Sequence, residues 1–256
     1  MTIIGYESGA FVLLPSDRRG QRDVALQVVR QNGMALRFFP ASLCADRDMV
    51  LDAVFQNGLA LAYAAEPLRA DRDVVLEAVI SAGCALRYAA EELKADRQVV
   101  FEAVLCNGLA LGHAAEDLQA DREVVLDAVG QNGLALQHAA DELLREDRGV
   151  VLTAVRQDGL ALAWSWRFQY DRDVVLEAVR SNGAALPYAT ERLRADRDVV
   201  LAAMVTCGWA LRHAAEELRA DREIVLAAVK QDRTALMYAA EELRNDPEVL
   251  AALSQP

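Results

Sequence analysis

Residues 71–95 read DRDVVLEAVISAGCALRYAAEELKA, and close copies of this stretch follow one another along most of the chain. Residues 121–146 read DREVVLDAVGQNGLALQHAADELLRE, and residues 221–245 read DREIVLAAVKQDRTALMYAAEELRN. A fixed period of about 25 residues indicates a solenoid, in which each repeat buries its apolar face only against its neighbours.

The repeats divide the chain into three parts. Residues 21–245 form an array of nine full repeats, preceded by an N-terminal cap, 1–20, and followed by a C-terminal capping helix, 246–256. The segment GAFVLLPSDRRG, residues 9–20, is interpreted as a degenerate second half of a repeat. Positions are numbered from the first residue of each repeat, which is Gln21, Asp46, Asp71, Asp96, Asp121, Asp147, Asp171, Asp196 or Asp221.

The first half of each repeat carries the signals of an amphipathic helix. Aspartate at position 1 is a typical N-cap, and positions 4, 5, 6, 8 and 9 are apolar. A half repeat begins with Asp246 and Pro247, and proline is favoured directly after a cap. Position 13 is glycine in eight of nine repeats, Arg233 being the exception. We predict that this glycine takes the left-handed conformation that ends a helix.

The second half of each repeat is shorter. It has leucine at position 16 and an aromatic residue or histidine at position 18. This length predicts either one α-helix of two turns or a mixed α and 3₁₀ segment. The predicted fold is therefore all-α, a superhelical α-solenoid of about nine 25-residue two-helix repeats with terminal caps.

This pattern, DREVVLDAVGQNGLALQHAADEL and its copies over residues 21–253, resembles the tandem helical repeats of the family labelled domain of unknown function 4116. The cap, the apolar stripe, the Asn-Gly pair and the Leu-x-aromatic-Ala element all recur in register. The resemblance implies an α-helical array and brings no established catalytic residues. A weaker likeness to leucine-rich variant repeats implies an α-helix paired with a 3₁₀ helix.

The net charge of −12 restricts the classes of partner. It argues against nucleic acid and against an anionic membrane surface, and it permits a basic protein, a cationic ligand or metal ions. We expect no secretory signal, because no basic segment precedes the apolar stretch in residues 1–20. Four cysteines without a CxxC pair predict reduced thiols and a cytoplasmic location.

Position 18 is the first candidate for function, because it holds every histidine of the chain. Its residues are Phe38, Tyr63, Tyr88, His113, His138, Trp164, Tyr188, His213 and Tyr238. His113 and His138 occupy equivalent sites in adjacent repeats, too far apart at about 8–10 Å to share one zinc ion. Half-buried aromatic packing is favoured for the whole set, and no metal ligand or cofactor site is predicted.

Acidic residues at positions 3 and 7, such as Asp73 and Glu77, lie four residues apart on one helix face. They could attract a basic partner or hold calcium weakly. The favoured interpretation is a solvated face on which acids offset the helix dipole and pair with arginines at position 2.

Position 10 varies most between repeats, which is typical of an outward-facing position. Phe55, Ile80 and Leu105 are consecutive there and could form an exposed apolar strip over repeats two to four. The alternative, a half-buried junction that tolerates change, stays open.

Repeat six breaks the pattern. Where other repeats have a sequence like YAAEELRA, residues 163–170 read AWSWRFQY. The change brings together residue types enriched at binding hot spots, namely Trp164, Trp166, Arg167, Phe168 and Tyr170. Local repacking of bulky rings is the competing interpretation.

Motifs of catalysis and nucleotide binding are absent, including GxGxxG, P-loop, GxSxG and HExxH patterns. We therefore expect no enzyme and no cofactor. The leading hypothesis is a non-catalytic scaffold that binds a protein or peptide, with repeat six as the first candidate site and Phe55, Ile80 and Leu105 as the second. A calcium-binding acidic surface and a self-associating structural protein remain as alternatives.

Overall fold

The computed structural model of the chain describes residues 2–4, 12–14, 22–140 and 147–253. Two compact units are present, Met1–Gln131 and Asn132–Pro256, and the boundary falls inside repeat five. Each unit contains a stack of tandem helical repeats. The predicted fold class, an all-α solenoid of 25-residue repeats, is confirmed.

Three helical segments recur in every regular repeat that the structure describes in full, and we name them the long helix, the 3₁₀ helix and the short helix. In repeat three the long helix is Arg72–Ser81, the 3₁₀ helix is Gly83–Tyr88 and the short helix is Glu91–Lys94. The second half of the repeat is thus the mixed α and 3₁₀ segment that was one of the two predicted forms.

The unit Met1–Gln131 begins with an antiparallel pair of strands, Thr2–Ile4 and Val12–Leu14, in which Ile3 lies opposite Leu13. Its long helices are Arg22–Gln31, Arg47–Gln56, Arg72–Ser81, Arg97–Cys106 and Arg122–Gln131. Its 3₁₀ helices are Gly33–Phe38, Gly58–Tyr63, Gly83–Tyr88 and Gly108–His113. Its short helices are Ala41–Cys44, Glu66–Arg69, Glu91–Lys94 and Glu116–Gln119.

The unit Asn132–Pro256 continues the pattern with one irregular repeat. Its long helices are Arg148–Gln157, Arg172–Ser181, Arg197–Thr206 and Arg222–Gln231, and a last helix is Pro247–Leu253. Its 3₁₀ helices are Gly133–His138, Gly159–Trp164, Trp166–Tyr170, Gly183–Tyr188, Gly208–His213 and Arg233–Tyr238. Its short helices are Glu191–Arg194, Glu216–Arg219 and Glu241–Arg244.

The predicted helical half repeat in residues 9–20 is wrong where the structure describes it. Val12–Leu14 is a β-strand paired with Thr2–Ile4. The two strands contain the β-branched residues Thr2, Ile3, Ile4 and Val12, and such residues favour extended backbone when a second strand is available for pairing. The rest of this predicted half repeat lies outside the described residues.

Aspartate at position 1 caps the long helix, as the sequence predicts. The Asp71 carboxylate accepts hydrogen bonds from the backbone N–H groups of Asp73 and Val74, at 3.0 and 3.2 Å. Asparagine at position 12 then caps the 3₁₀ helix, since Asn57 Oδ1 accepts from Leu59 N at 3.0 Å. Both caps satisfy donors that a helix start leaves unpaired.

Glycine at position 13 has a different role from the predicted one. It is the first residue of the 3₁₀ helix, and none of the described glycines at this position has a left-handed φ. A Cβ atom built on Gly58 would lie 2.0 Å from the carbonyl oxygen of Ala78 in the next repeat. The glycine is therefore needed because two repeats approach each other closely. The exception, Arg233, precedes a helix in which the counterpart of Ala78 is Leu253, the last described residue.

Neighbouring repeats are joined by two regular hydrogen bonds. The Gly58 N–H donates to Ser81 Oγ at 3.1 Å, and glutamine, cysteine or threonine replaces this serine in other repeats. The Ala90 N–H donates to the Arg69 carbonyl oxygen at 2.9 Å. This second bond explains why the 3₁₀ helix and the short helix stay separate: the N–H between them is used by the preceding repeat.

The core is a repeated set of small and branched side chains. In repeat three Val74, Val75, Ala78 and Val79 of the long helix are fully buried, together with Leu86 of the 3₁₀ helix. The same positions are buried in repeats two to eight, whereas Val24 of repeat one and Leu236 of repeat nine are half-buried. Burial of this kind contributes about 25 cal/mol per Å² of apolar surface and is the main stabilising term of the stack.

Candidate functional site

The long helices present a charged outer face, in which arginine at position 2 reaches the next repeat. Arg47 Nε donates to Asp71 Oδ2 at 2.7 Å, and Arg47 Nη2 donates to Asp73 Oδ2 at 2.8 Å. Equivalent arginines that pair with carboxylates of the following repeat are Arg22, Arg72, Arg97, Arg148, Arg172, Arg197 and Arg222. The Arg47 guanidinium holds the pKa of the Asp71 carboxyl below its usual value. We call this row of pairs the arginine ladder.

The arginine ladder affects how the acids of position 3 could bind a cation. Asp73 and most of its counterparts already share a guanidinium with a capping aspartate. Most of these carboxylates therefore already have a guanidinium partner, which lowers their affinity for an added cation. In the part of the chain that the structure describes, no three His, Cys, Asp or Glu side chains lie close enough to hold a metal ion.

Acids at position 7 differ from repeat to repeat. Arg30 at position 10 donates from Nε to Asp52 Oδ2 at 2.9 Å, and Arg156 donates in the same way to Glu177 Oε2 at 2.7 Å. The Arg156 guanidinium lowers the pKa of Glu177. Three further acids at position 7 are half-buried and make no hydrogen bond or ion pair with any described residue: Glu77, Glu102 and Asp127.

The outward residues of repeats two to four are apolar, and we call Phe55, Ile80 and Leu105 the apolar column. Their exposed fractions are 67%, 56% and 49%. They occupy position 10 of the long helices, one turn beyond the half-buried residue at position 6, which is Leu76 in repeat three. The column is therefore on the outer face of the long helices and is not part of the core.

Repeat six exposes its aromatic residues. The short α-helix of other repeats is replaced there by a second 3₁₀ helix, Trp166–Tyr170. The exposed fractions are 47% for Trp164, 57% for Trp166 and 72% for Tyr170, and Arg167 is exposed as well. These rings therefore do not fill space vacated in the core. We call residues 164–170 the aromatic segment.

The backbone of repeat six shows where the missing residue was lost. The Asp171 N–H donates to the Phe168 carbonyl at 3.0 Å, as the Asp71 N–H donates to Leu68 at 3.3 Å in a regular repeat. The half-buried Phe168 thus takes the place of the usual leucine at position 23. The deletion lies between Trp164 and Phe168, and Ser165 turns inward, with its Oγ 3.3 Å from the Leu162 carbonyl oxygen.

The position 18 side chains of the regular repeats are half-buried aromatic rings, apart from the more exposed Tyr188. Burial lowers the pKa of His138 and is the main cause of the lowered pKa of His213, which favours the neutral form of both rings. His213 packs edge-on against Trp209, with ring centroids 5.8 Å apart, and accepts a hydrogen bond from Arg212 Nε at 2.7 Å. These contacts are the packing role expected for the position.

The four cysteines are free thiols that take part in local packing. Cys106 Sγ accepts from the Gly83 N–H at 3.2 Å, in the place that serine or glutamine occupies elsewhere. Burial raises the pKa of Cys44 and is the main cause of the raised pKa of Cys207. Raised pKa values disfavour the thiolate form that a nucleophile or a metal ligand requires.

The contact between position 10 and position 7 of adjacent repeats was not predicted from the sequence. Position 10 of one repeat lies beside position 7 of the next, as the Arg30–Asp52 and Arg156–Glu177 pairs show. The interval in sequence could have predicted this contact. Arg30 precedes Asp52 by 22 residues, and Phe55 precedes Glu77 by the same interval.

The longest described helices have ten residues, and none is apolar and long enough to cross a membrane. No curated protein and no solved structure matches the chain. A family profile described as Domain of unknown function (DUF4116) matches eight overlapping segments, each about two repeats long: 21–69, 46–94, 71–119, 96–144, 121–165, 147–194, 171–219 and 196–244. The register of these matches is that of the structural repeats, and the chain belongs to the DUF4116 family of tandem helical repeats.

Proposed function

We propose that this chain is a non-catalytic scaffold of a reducing, cytoplasmic compartment that binds a protein or peptide, with the aromatic segment of repeat six as its main contact surface. The observation that carries the proposal is the exposure of Trp164, Trp166 and Tyr170 in a repeat whose core is otherwise regular. Exposed tryptophan and tyrosine side chains near one another in sequence are typical of binding sites.

The argument rests on what the regular repeats achieve without these residues. In repeat three the corresponding residues, 89–92, are two alanines and two glutamates, and Leu93 after them is buried. Repeat six needs only Phe168 to serve the same purpose, so Trp166 and Tyr170 add nothing to the core. Tryptophan, tyrosine and arginine provide large contact areas at low entropic cost, and a protein surface supplies the apolar pockets that they fill.

A pull-down experiment with a matched pair of variants tests this function. The purified chain is bait in a lysate of its source organism, beside a variant with Trp166→Ala and Tyr170→Ala. The control variant carries Val205→Ala and Met237→Ala, two apolar residues of the same unit that are equally exposed. Circular dichroism confirms that all three proteins fold.

We expect one or more proteins that bind the wild type and the control variant, with at least about tenfold less bound to the aromatic variant. A prey that binds all three proteins equally would show that the aromatic segment is not the contact surface. Sedimentation analysis of the bait at several concentrations separates this function from self-association. If the sedimenting mass of the wild type rises with concentration and that of the aromatic variant stays at the monomer value, the chain is a structural homo-oligomer.

A further inference from the structure

The apolar column precedes a row of carboxylates that lack the arginine partner found at two other places in the fold. In two other places the fold shows what that partner is: an arginine at position 10 that pairs with the acid at position 7 of the next repeat. The Nε to carboxylate distances are 2.9 Å for Arg30 and Asp52 and 2.7 Å for Arg156 and Glu177. The structure therefore contains two internal templates for a guanidinium at this site.

The same interval in sequence recurs where the arginine is absent. Phe55 precedes Glu77, Ile80 precedes Glu102 and Leu105 precedes Asp127 by the interval that separates Arg30 from Asp52. All six residues lie in the unit Met1–Gln131. The three carboxylates are half-buried and make no ion pair with the described residues. The arginines of the ladder pair with the acids of positions 1 and 3 instead.

This combination differs from an exposed apolar residue alone. Val205 is also exposed at position 10, but the residue at position 7 of the following repeat is Ala227. Arg180, also at position 10, has Ala202 rather than an acid at position 7 of the following repeat. The pairing of an apolar residue with an unneutralised acid thus occurs three times in succession in repeats two to five. A like-charged row of this kind disfavours the folded stack and favours a cation from outside.

The spacing of the row fits a helix. Adjacent packed helices are about 8–10 Å apart, so the carboxylates of successive repeats are separated by roughly that distance. Seven residues of an α-helix rise about 10.5 Å. A helix that crosses the long helices could therefore place one cationic side chain on each carboxylate and one apolar side chain between them.

We propose that the apolar column, together with Glu77, Glu102 and Asp127, docks a basic amphipathic helix of another protein, whose arginines replace the internal arginine found at Arg30 and Arg156. The inference rests on the proposed function in assuming a protein partner, but it assigns a second surface in the other unit and gives the chemistry of its occupant. Charge and shape complementarity together define that occupant.

The first experiment supplies the missing guanidinium from within the chain. Ile80→Arg places an arginine 22 residues ahead of Glu102, as Arg30 is placed ahead of Asp52. We expect the melting temperature to rise by about 1–3 °C at low salt. The control is Val205→Arg, which is followed by Ala227 and should give no rise. Equal shifts in both variants would overturn the assignment of an unneutralised carboxylate beside Ile80.

The second experiment measures binding of a designed probe. It is a fluorescein-labelled helical peptide of about 21 residues with one arginine and one leucine at fixed places in each heptad. A matched peptide carries citrulline, which has the size of arginine without its charge. Fluorescence anisotropy with the full chain gives both affinities, and we expect the arginine peptide to bind at least about tenfold more tightly.

Chain variants then locate the site. Glu77→Gln with Glu102→Gln should remove most of the difference between the two peptides and leave citrulline-peptide binding unchanged. The control, Glu92→Gln with Asp117→Asn, changes the net charge equally in the same repeats but at exposed residues of the short helices. Ile80→Arg should weaken the arginine peptide about tenfold, because its own guanidinium occupies Glu102.

The proposal would be overturned by no binding of the arginine peptide, by equal affinity for both peptides, or by equal loss in the control variant. A dimer that Glu77→Gln with Glu102→Gln dissociates in sedimentation would also overturn it, since the occupant would then be a second copy of the chain. The variant Trp166→Ala with Tyr170→Ala should bind the probe like wild type. Failure of the aromatic segment in the pull-down and failure of this surface are therefore separate outcomes.

Discussion

Repeats two to four and repeat six depart from the common pattern in different ways. Repeats two to four keep every helix boundary and change only an outward residue, Phe55, Ile80 or Leu105. Repeat six loses a residue and replaces its short α-helix by the 3₁₀ helix Trp166–Tyr170. Both changes leave the core positions filled. The comparison teaches that the stack constrains only atoms that touch the next repeat, so that surface chemistry can change freely elsewhere.

The largest effect is expected from a substitution at position 13, where the glycine lies close to the backbone of the next repeat in both kinds of repeat. Gly58→Ala should destabilise the protein by about 3 kcal/mol or more, because its Cβ would lie 2.0 Å from the Ala78 carbonyl oxygen. Urea unfolding measures the loss. Gly130→Ala is the control, since a Cβ there meets nothing within 4 Å. It should stabilise the long helix by about 0.5–1 kcal/mol. Equal destabilisation by both changes would contradict the packing role of position 13.

The next effect tests whether repeat six has an ordinary core. Leu86 of repeat three and Leu162 of repeat six are both fully buried at position 16. Truncation of either leucine to alanine should cost about 2–5 kcal/mol, and the two losses should be similar. Both variants are compared by urea unfolding under the same conditions. A much smaller loss for Leu162→Ala would show that the deletion loosens the packing of repeat six.

The arginine ladder predicts how stability depends on pH in both regions. Arg47 and Arg148 hold the pKa values of Asp71 and Asp171 below those of the unfolded chain. The ladder therefore contributes stability above the unfolded value of about 3.9 and loses it as the pH falls toward the folded pKa. Arg47→Gln should lower stability at pH 7 and make the loss in acid shallower. Arg192→Gln, at an exposed arginine that makes no ion pair with a described residue, should change neither. Melting curves between pH 7 and about pH 2.5 give the comparison.

The smallest effect on stability belongs to the residues proposed to bind partners. Trp166→Ala and Ile80→Ala should each change the free energy of unfolding by less than about 0.5 kcal/mol, because both side chains are largely exposed. Thermal melting of each variant checks this. A loss above about 2 kcal/mol for Trp166→Ala would mean that the ring supports the fold of repeat six, and repacking would then be the better interpretation.

The sequence predicted the features that depend on local chemistry. The capping role of Asp71 follows from its place before an apolar run, and the buried stripe Val74–Val75–Ala78–Val79 follows from helical periodicity. Gly58 was also singled out, but with the wrong reason. Its role depends on the carbonyl of Ala78 in another repeat, and contacts of this kind are not visible in a local pattern.

The candidate surfaces were predicted as residue types rather than as geometry. Phe55 and Trp166 were named, and the structure shows that both are exposed. The relation between Ile80 and Glu102 was missed, because it required knowing which positions of adjacent repeats touch. The antiparallel strands Thr2–Ile4 and Val12–Leu14 were missed because a strand depends on a partner distant in sequence.

The hydrogen bonds between repeats have a consequence for how such chains change in length. The Gly58 N–H donates to Ser81 Oγ, and the Ala90 N–H donates to the Arg69 carbonyl oxygen, so that each bond joins one repeat to its immediate successor. An inserted copy of one repeat would carry both the donor and the acceptor groups of these bonds. It could therefore bond to the repeat before it and to the repeat after it. Gene duplication can therefore lengthen the protein without a compensating substitution, and each new copy is then free to acquire its own outward residues.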